Sequence, residues 1–128
     1  MAFGILLALT ASVLWNRPIC KEPGRYIGWP SVICTKGGEL LAVFSGDRDS
    51  HVCPWGKVQL VRSKDGGETW SAPISIRNDS LDDRDAGIME LANGDLVVTY
   101  FSSLHFGKMP VQLAFQQERI AEGTVVLL

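Results

Sequence analysis

The sequence predicts an all-β fold: a partial β-propeller of about one and a half four-stranded antiparallel blades. Three observations predict it. Short β-prone runs are separated by glycine turns between residues 29 and 76. Ser63-Lys64-Asp65-Gly66-Gly67-Glu68-Thr69-Trp70 reads S-x-D-x-G-x-T-W, a hairpin signature with fixed offsets. A gapless internal repeat of period 56 follows, and a repeat of blade length fixes the architecture before any single element does.

Trp29 to Cys34 is the first apolar strand, and Thr35-Lys36-Gly37-Gly38 turns the chain. Glu39 to Ser45 (E-L-L-A-V-F-S) is a second, strongly β-prone strand. Gly56 to Arg62 alternates Val58 and Leu60 against Lys57 and Gln59, as a half-buried strand does. In the S-x-D-x-G-x-T-W turn, Gly66 and Gly67 supply the positive φ that a tight hairpin needs. Asp65 accepts backbone N–H groups in the manner of an Asx-turn. Thr69 to Ile76 is then the fourth strand, with Trp70 anchoring the turn on its sheet.

In the repeat, Pro30-Ser31-Val32-Ile33 and Gly38-Glu39-Leu40-Leu41-Ala42-Val43 align with Ala86-Gly87-Ile88-Met89 and Gly94-Asp95-Leu96-Val97-Val98-Thr99. Asp85 to Leu91 and Asp95 to Ser102 are therefore expected as the first two strands of a second blade. Residues 25–103 carry the blades. Residues 104–128 match no blade and stay unassigned; Gln112 to Ala121 reads as helical, Gly123 to Leu128 as apolar, and a truncated or frame-altered end is one reading. An edge strand exposing Leu96, Val97 and Val98 is an aggregation liability.

Composition narrows the class. The chain has 128 residues, 46% hydrophobic and 20% charged, enough apolar content for a packed core. A net charge of −2 with scattered Lys and Arg provides no basic field, so no nucleic-acid partner is expected. Cys20, Cys34 and Cys53 leave an odd thiol, and there is no C-x-x-C. His51 and His105 lie far apart, so no metal or cofactor is expected. Residues 1–24 form an N-terminal extension whose apolar run, Phe3 to Trp15, is too short for a usual membrane span. It reads as a signal-like segment, which implies a secreted or periplasmic protein, as a helical extension, or as a mis-assigned start of the reading frame. Oligomeric state is left open.

On these residues the chain resembles the sialidase (neuraminidase) superfamily, in its bacterial-type six-bladed propellers. The resemblance covers roughly residues 26–103. It rests on Gly28-Trp29-Pro30-Ser31-Val32, Gly38-Glu39-Leu40-Leu41-Ala42-Val43-Phe44, Gly46-Asp47-Arg48, the Ser63–Trp70 turn in the form of an Asp-box (BNR repeat), and Arg84-Asp85-Ala86-Gly87-Ile88. The family releases terminal sialic acid, so the resemblance implies a glycan substrate and a glycoside hydrolase. It also implies an arginine triad gripping a carboxylate, a tyrosine nucleophile with a glutamate partner, and an aspartate acid/base.

Carried onto this chain, Arg48 falls at or beside a triad arginine and Asp85 at the aspartate facing the sugar. The acid/base position falls in the loop 49–55, where Asp49 is the one carboxylate and His51 an alternative general acid. Gly28 stands where the first triad arginine belongs, and Arg25 is three residues earlier. Tyr26 and Tyr100 match neither catalytic tyrosine nor its surroundings. In the box, Ser63, Asp65, Gly67, Thr69 and Trp70 are structural. Each functional residue has a plainer reading: Arg48 a salt bridge with Asp47 or Asp49, Asp85 a turn carboxylate, His51 a rim histidine. Two functions follow. One is a sialidase-like hydrolase fragment using Arg25, Arg48, Asp49 or His51, and Asp85. The other is a non-catalytic glycan- or protein-binding propeller, with Trp29 and Trp55 stacking on sugars. An inactive truncated product is the third reading.

Overall fold

The computed structural model describes residues 11–13, 15–103, 113–121 and 124–127. They form eight strands and two four-stranded antiparallel sheets. The first sheet is β1 (Tyr26–Cys34), β2 (Leu40–Arg48), β3 (Lys57–Ser63) and β4 (Ile74–Arg77), in chain order. The second is β5 (Asp82–Glu90), β6 (Leu96–Ser103), β7 (Leu113–Ala121) and β8 (Thr124–Leu127), again in chain order. No helix among the described residues is long and apolar enough to cross a membrane.

Side-chain alternation explains the packing. On β2, Leu41 and Val43 face one way and join Val58, Leu60, Ala86, Ile88, Val98 and Tyr100 in a core shared by both sheets. Ala42 and Phe44 face the other way, with Val61, onto Ile19, Cys20, Ile27 and Trp70. Both faces of β2 are thus covered, which is why it reads as a continuous apolar run. The segment before β1 lies on that outer face. Arg17 stacks 4.5 Å from the Trp15 ring and forms a two-pronged ion pair with Glu68, at 2.9 and 2.6 Å.

The 56-residue repeat is reproduced bond for bond. Thr35 N–H donates to Glu39 O at 2.8 Å and Gly38 N–H to Thr35 O at 2.9 Å; Leu91 N–H donates to Asp95 O at 2.8 Å and Gly94 N–H to Leu91 O at 3.0 Å. The register repeats as well: Ser31↔Val43 and Val32↔Ala42 become Gly87↔Thr99 and Ile88↔Val98. So does an irregularity. β1 shifts register between Gly28 and Ser31, β5 between Arg84 and Gly87, and inside each shift a non-glycine residue has positive φ: Trp29 at 52° and Asp85 at 54°. These bulges bend both strands at the same end of the molecule.

Several expectations are corrected. The fourth strand begins at Ile74 rather than Thr69, because Pro73 lacks an N–H and stands at the strand's entrance. Trp70 is therefore outside the ladder; its ring packs on the outer face and its Nε1 donates to Gly67 O at 3.1 Å. β2 runs on to Arg48 and β5 starts at Asp82, both three residues beyond the expected limits.

The stretch 113–121 is strand rather than helix. It pairs with β6 along its whole length, from Leu96↔Ile120 to Ser103↔Leu113, and eight pairings outweigh the weak local helix preference of its polar residues. The tail thus supplies the two outer strands of the second sheet, so two four-stranded sheets are present rather than one and a half. Leu96, Val97 and Val98 lie on an interior strand and form no open edge. Residues 1–10 of the N-terminal run, and His105, lie outside the described residues.

Candidate functional site

The Ser63–Trp70 turn closes the hairpin between β3 and β4 through one carboxylate. Thr69 N–H donates to Asp65 Oδ1 and Oδ2 at 2.9 and 3.1 Å, Ser63 Oγ donates to Asp65 Oδ1 at 2.8 Å, and the Thr69 hydroxyl donates to Oδ2. Ser63 Oγ in turn accepts the Gly67 N–H at 2.9 Å. The Thr69 hydroxyl, then its N–H, then the Ser63 hydroxyl hold the Asp65 carboxyl well below the usual carboxylate range. Gly66 (φ 72°) and Gly67 (φ 93°) carry the turn. A group whose folded pKa is depressed stabilises above its unfolded pKa and loses that contribution on acidification. Asp65→Ala is accordingly expected to lower the melting temperature at pH 7 and to flatten its fall below about pH 4. A melting series in which mutant and wild type fall in parallel through that range would contradict it.

The box lies at the Leu40 end of β2, opposite Ser63, while Arg48 ends the same strand eight residues on, about 25 Å away at strand rise. The candidate chemistry therefore gathers at the other end. There Arg48 has no exposed surface. Its Nη1 lies 2.6 Å from Asp82 Oδ1 and its Nη2 donates to His51 O at 2.7 Å. Asp82 Oδ2 also accepts the Cys53 N–H at 3.3 Å, and Gly56 O accepts the Asp83 N–H at 3.2 Å. The 49–56 loop is thus clamped onto β5 by a buried ion pair.

Above this clamp sits Arg84. Its Cζ lies 4.7 Å from the Trp29 ring centroid and 5.7 Å from that of Phe101. Its Nη2 is 3.4 Å from His51 Nε2. Arginine only donates, so that contact needs His51 Nε2 without a proton. His51 is exposed and packs edge-on against Trp29, ring centroids 4.9 Å apart, with Tyr26 beside both. Asp85 stands at the rim, Oδ1 3.7 Å from Arg84 Nε, its N–H donating to Ser45 Oγ at 2.9 Å.

The predicted residues fall into two groups. His51, Arg48 and Asp85 share the Trp29 end. Arg48 is sealed beneath it and pairs with Asp82, rather than with Asp47 or Asp49. Arg25 and Asp49 are engaged with each other and with neighbouring groups. Arg25 Nε donates to Asp47 Oδ1 and its Nη2 to Asp47 O, both at 2.7 Å, and its Nη1 pairs with Asp49. Trp55 Nε1 donates to the other Asp49 oxygen at 3.0 Å. Asp47 also binds Lys57, whose hydrogen bond, followed by that of Arg25, holds its carboxyl below the usual range.

Sequence reasoning missed Asp82 and Arg84. The signal was present: a shift of 56 places Arg84 on Gly28, where the resemblance implies an arginine. Two described clefts lie away from this end: one of about 310 Å³ bounded by Thr35, Glu39 and Lys64, and one of about 200 Å³ bounded by Ser31, Met89 and Thr99.

No family model and no curated protein matches the chain. Among solved structures it is similar to a crystal structure of a protein of unknown function from Dyadobacter fermentans, with a TM-score of 0.70 and 24% identity. The match covers 82% of this chain and 35% of that one, so this chain spans about a third of that protein's length. The likeness concerns the fold alone.

Proposed function

We propose that the two sheets are successive blades of a six-bladed sialidase-like propeller, and that the protein is a glycoside hydrolase acting on glycans at its Trp29–Arg84 end. Two four-stranded sheets cannot close a ring, since propellers take at least about four blades. The reading therefore concerns a portion of the ring. The observation that carries it is the pairing of opposite ends. A complete Asp-box hydrogen-bond set lies at one end of the strands. Arginine, histidine and aromatic groups gather around the repeated bulges at the other. Within this reading His51 is the better general-acid candidate, because it is exposed and both oxygens of Asp49 are already engaged.

The test is hydrolysis of a fluorogenic sialoside by the purified protein. Turnover that His51→Ala abolishes, with melting unchanged, supports the reading. No turnover by folded protein removes the hydrolase. A second reading, glycan binding without cleavage, draws on specific observations: Gly28 in place of an arginine, and Arg25 neutralised by Asp47 and Asp49. It expects glycan-array binding without cleavage.

A further inference from the structure

We propose that the protein associates head to tail with copies of itself: the outer face of the β5–β8 sheet docks on the β1 side of the next copy's first sheet, and three copies close a ring of six sheets. The number three rests on the six-bladed reading; the docking mode rests on the repeat.

The two sheets of one chain do not meet through equivalent faces. The first contributes Leu41 and Val43, the second Ile88, Val98 and Tyr100. A shift of 56 turns Leu41 and Val43 into Val97 and Thr99, which alternate away from that core. Shifted back, Ile88, Val98 and Tyr100 become Val32, Ala42 and Phe44, on the far face of the first sheet. The contact is therefore heterologous. Each sheet carries on its outside the half that its neighbour uses inside. Heterologous contacts leave both halves open at the ends of an array, and further copies add until a ring closes.

Exposure marks the two open halves. Val32 is 60% exposed, while its mate Ile88 is buried in the core. Met89 is 53% exposed, while its mate Ile33 packs against that core. Large apolar side chains thus stand open at the positions for which the repeat supplies a partner once and not again. On the second sheet, Gly87, Met89, Val97 and Thr99 border the hollow of about 200 Å³, which leaves room for an incoming aliphatic side chain.

Two features set the strength of the contact. Inside the chain, Lys36 Nζ donates across the sheets to Leu91 O at 3.1 Å and Ala92 O at 2.8 Å. Its repeat mate is Ala92, so the contact between copies lacks this clamp and rests on apolar side chains. The segment before β1 covers Ala42 and Phe44 with Ile19 and Cys20 but leaves Val32 open. It is tied down by the exposed Arg17–Glu68 ion pair, a kind that contributes little, and it yields to an incoming sheet. The association is accordingly reversible and concentration-dependent.

Sedimentation velocity over a dilution series tests this. Wild type is expected to move from monomer towards three times the monomer mass as concentration rises. Val32→Arg and Met89→Arg alter exposed side chains, so both should fold. Each places a charge in the contact and should weaken association by at least about a hundredfold, the scale of an unpaired buried charge. Ile74 is 51% exposed and, opposite Leu60, lies on neither docking face; Ile74→Arg should associate as wild type does. Mixed together, Val32→Arg and Met89→Arg still hold one intact half each. They should form a one-to-one pair and nothing larger, a rescue that a symmetric contact does not give.

A wild type that stays monomeric, association that either of these two variants leaves intact, or a mixture that fails to pair overturns the proposal. A monomeric wild type that still hydrolyses the sialoside overturns it and leaves the hydrolase standing. A rescued pair with a wild type that closes at another number, or grows into filaments, keeps the docking mode and overturns both the ring of three and the six-bladed reading.

Discussion

Replacing Arg48 by methionine is expected to destabilise the fold by about 3–5 kcal/mol, the usual cost of leaving a buried charge without its partner. The orphan would be Asp82, which also has no exposed surface, 2.6 Å from the guanidinium in the native protein. More than one pair is at stake. Arg48 Nη2 also holds His51 O, so the 49–56 loop loses that anchor, and the Asp82 carboxylate that holds the Cys53 N–H is left without its cation.

The paired variant Arg48→Met/Asp82→Leu separates charge burial from packing. It is expected to lose much less than the sum of the single losses, because no unpaired charge remains. Urea unfolding of the four proteins gives the coupling directly. Gly56→Ala should report the same clamp from the backbone side. A Cβ there would fall 2.2 Å from Arg48 Nη1 and 2.7 Å from Asp82 Oδ1, so the pair must part or the loop must lift. A single Arg48→Met variant as stable as wild type would show that the pair is dispensable.

The fold was legible where the sequence speaks locally. Gly38 and Gly94, with φ of 83° and 89°, close identical turns 56 residues apart, and both the glycines and the spacing are visible in the chain. The Asp-box likewise draws its partners from within seven residues. The tail was not legible. β7 is held by pairing to β6, a non-local interaction that its polar, helix-tolerant residues do not announce.

The site follows the same division. His51 and Asp85 could be named from position in the pattern. Whether an arginine is free could not, because that depends on which carboxylates reach it across 22 to 34 residues of chain. Asp47 reaches Arg25 and Asp82 reaches Arg48, and Arg84 is left under-matched as a result. The register of the bulges decides these partners, and bulges leave only a faint mark on sequence.

Asp83→Asn is expected to stabilise the protein by about 2–3 kcal/mol at pH 8 and by almost nothing near pH 4. Asp83 has no exposed surface and follows Asp82 on β5. Its carboxylate accepts the Ser102 hydroxyl, and its Oδ2 accepts the Asp79 N–H at 3.4 Å. Burial dominates these favourable contacts and, with the nearby Asp79 charge, pushes its pKa from 3.8 to about 6.

The sign follows from linkage. Below about pH 4 the carboxyl is protonated whether the chain is folded or not, and burial carries no ionisation cost. Between about pH 4 and 6 the folded state holds a proton that the unfolded state has released, so stability falls as pH rises. Above about pH 6 the cost levels off near two pK units, which at about 1.4 kcal/mol each sets the upper end of the expected gain. Asparagine keeps the shape and the acceptor for Ser102 without the charge. Urea unfolding of both proteins at pH 3.5 and pH 8 reads the difference. A gain of equal size at the two pH values would mean that packing, rather than a buried charge, separates the variants.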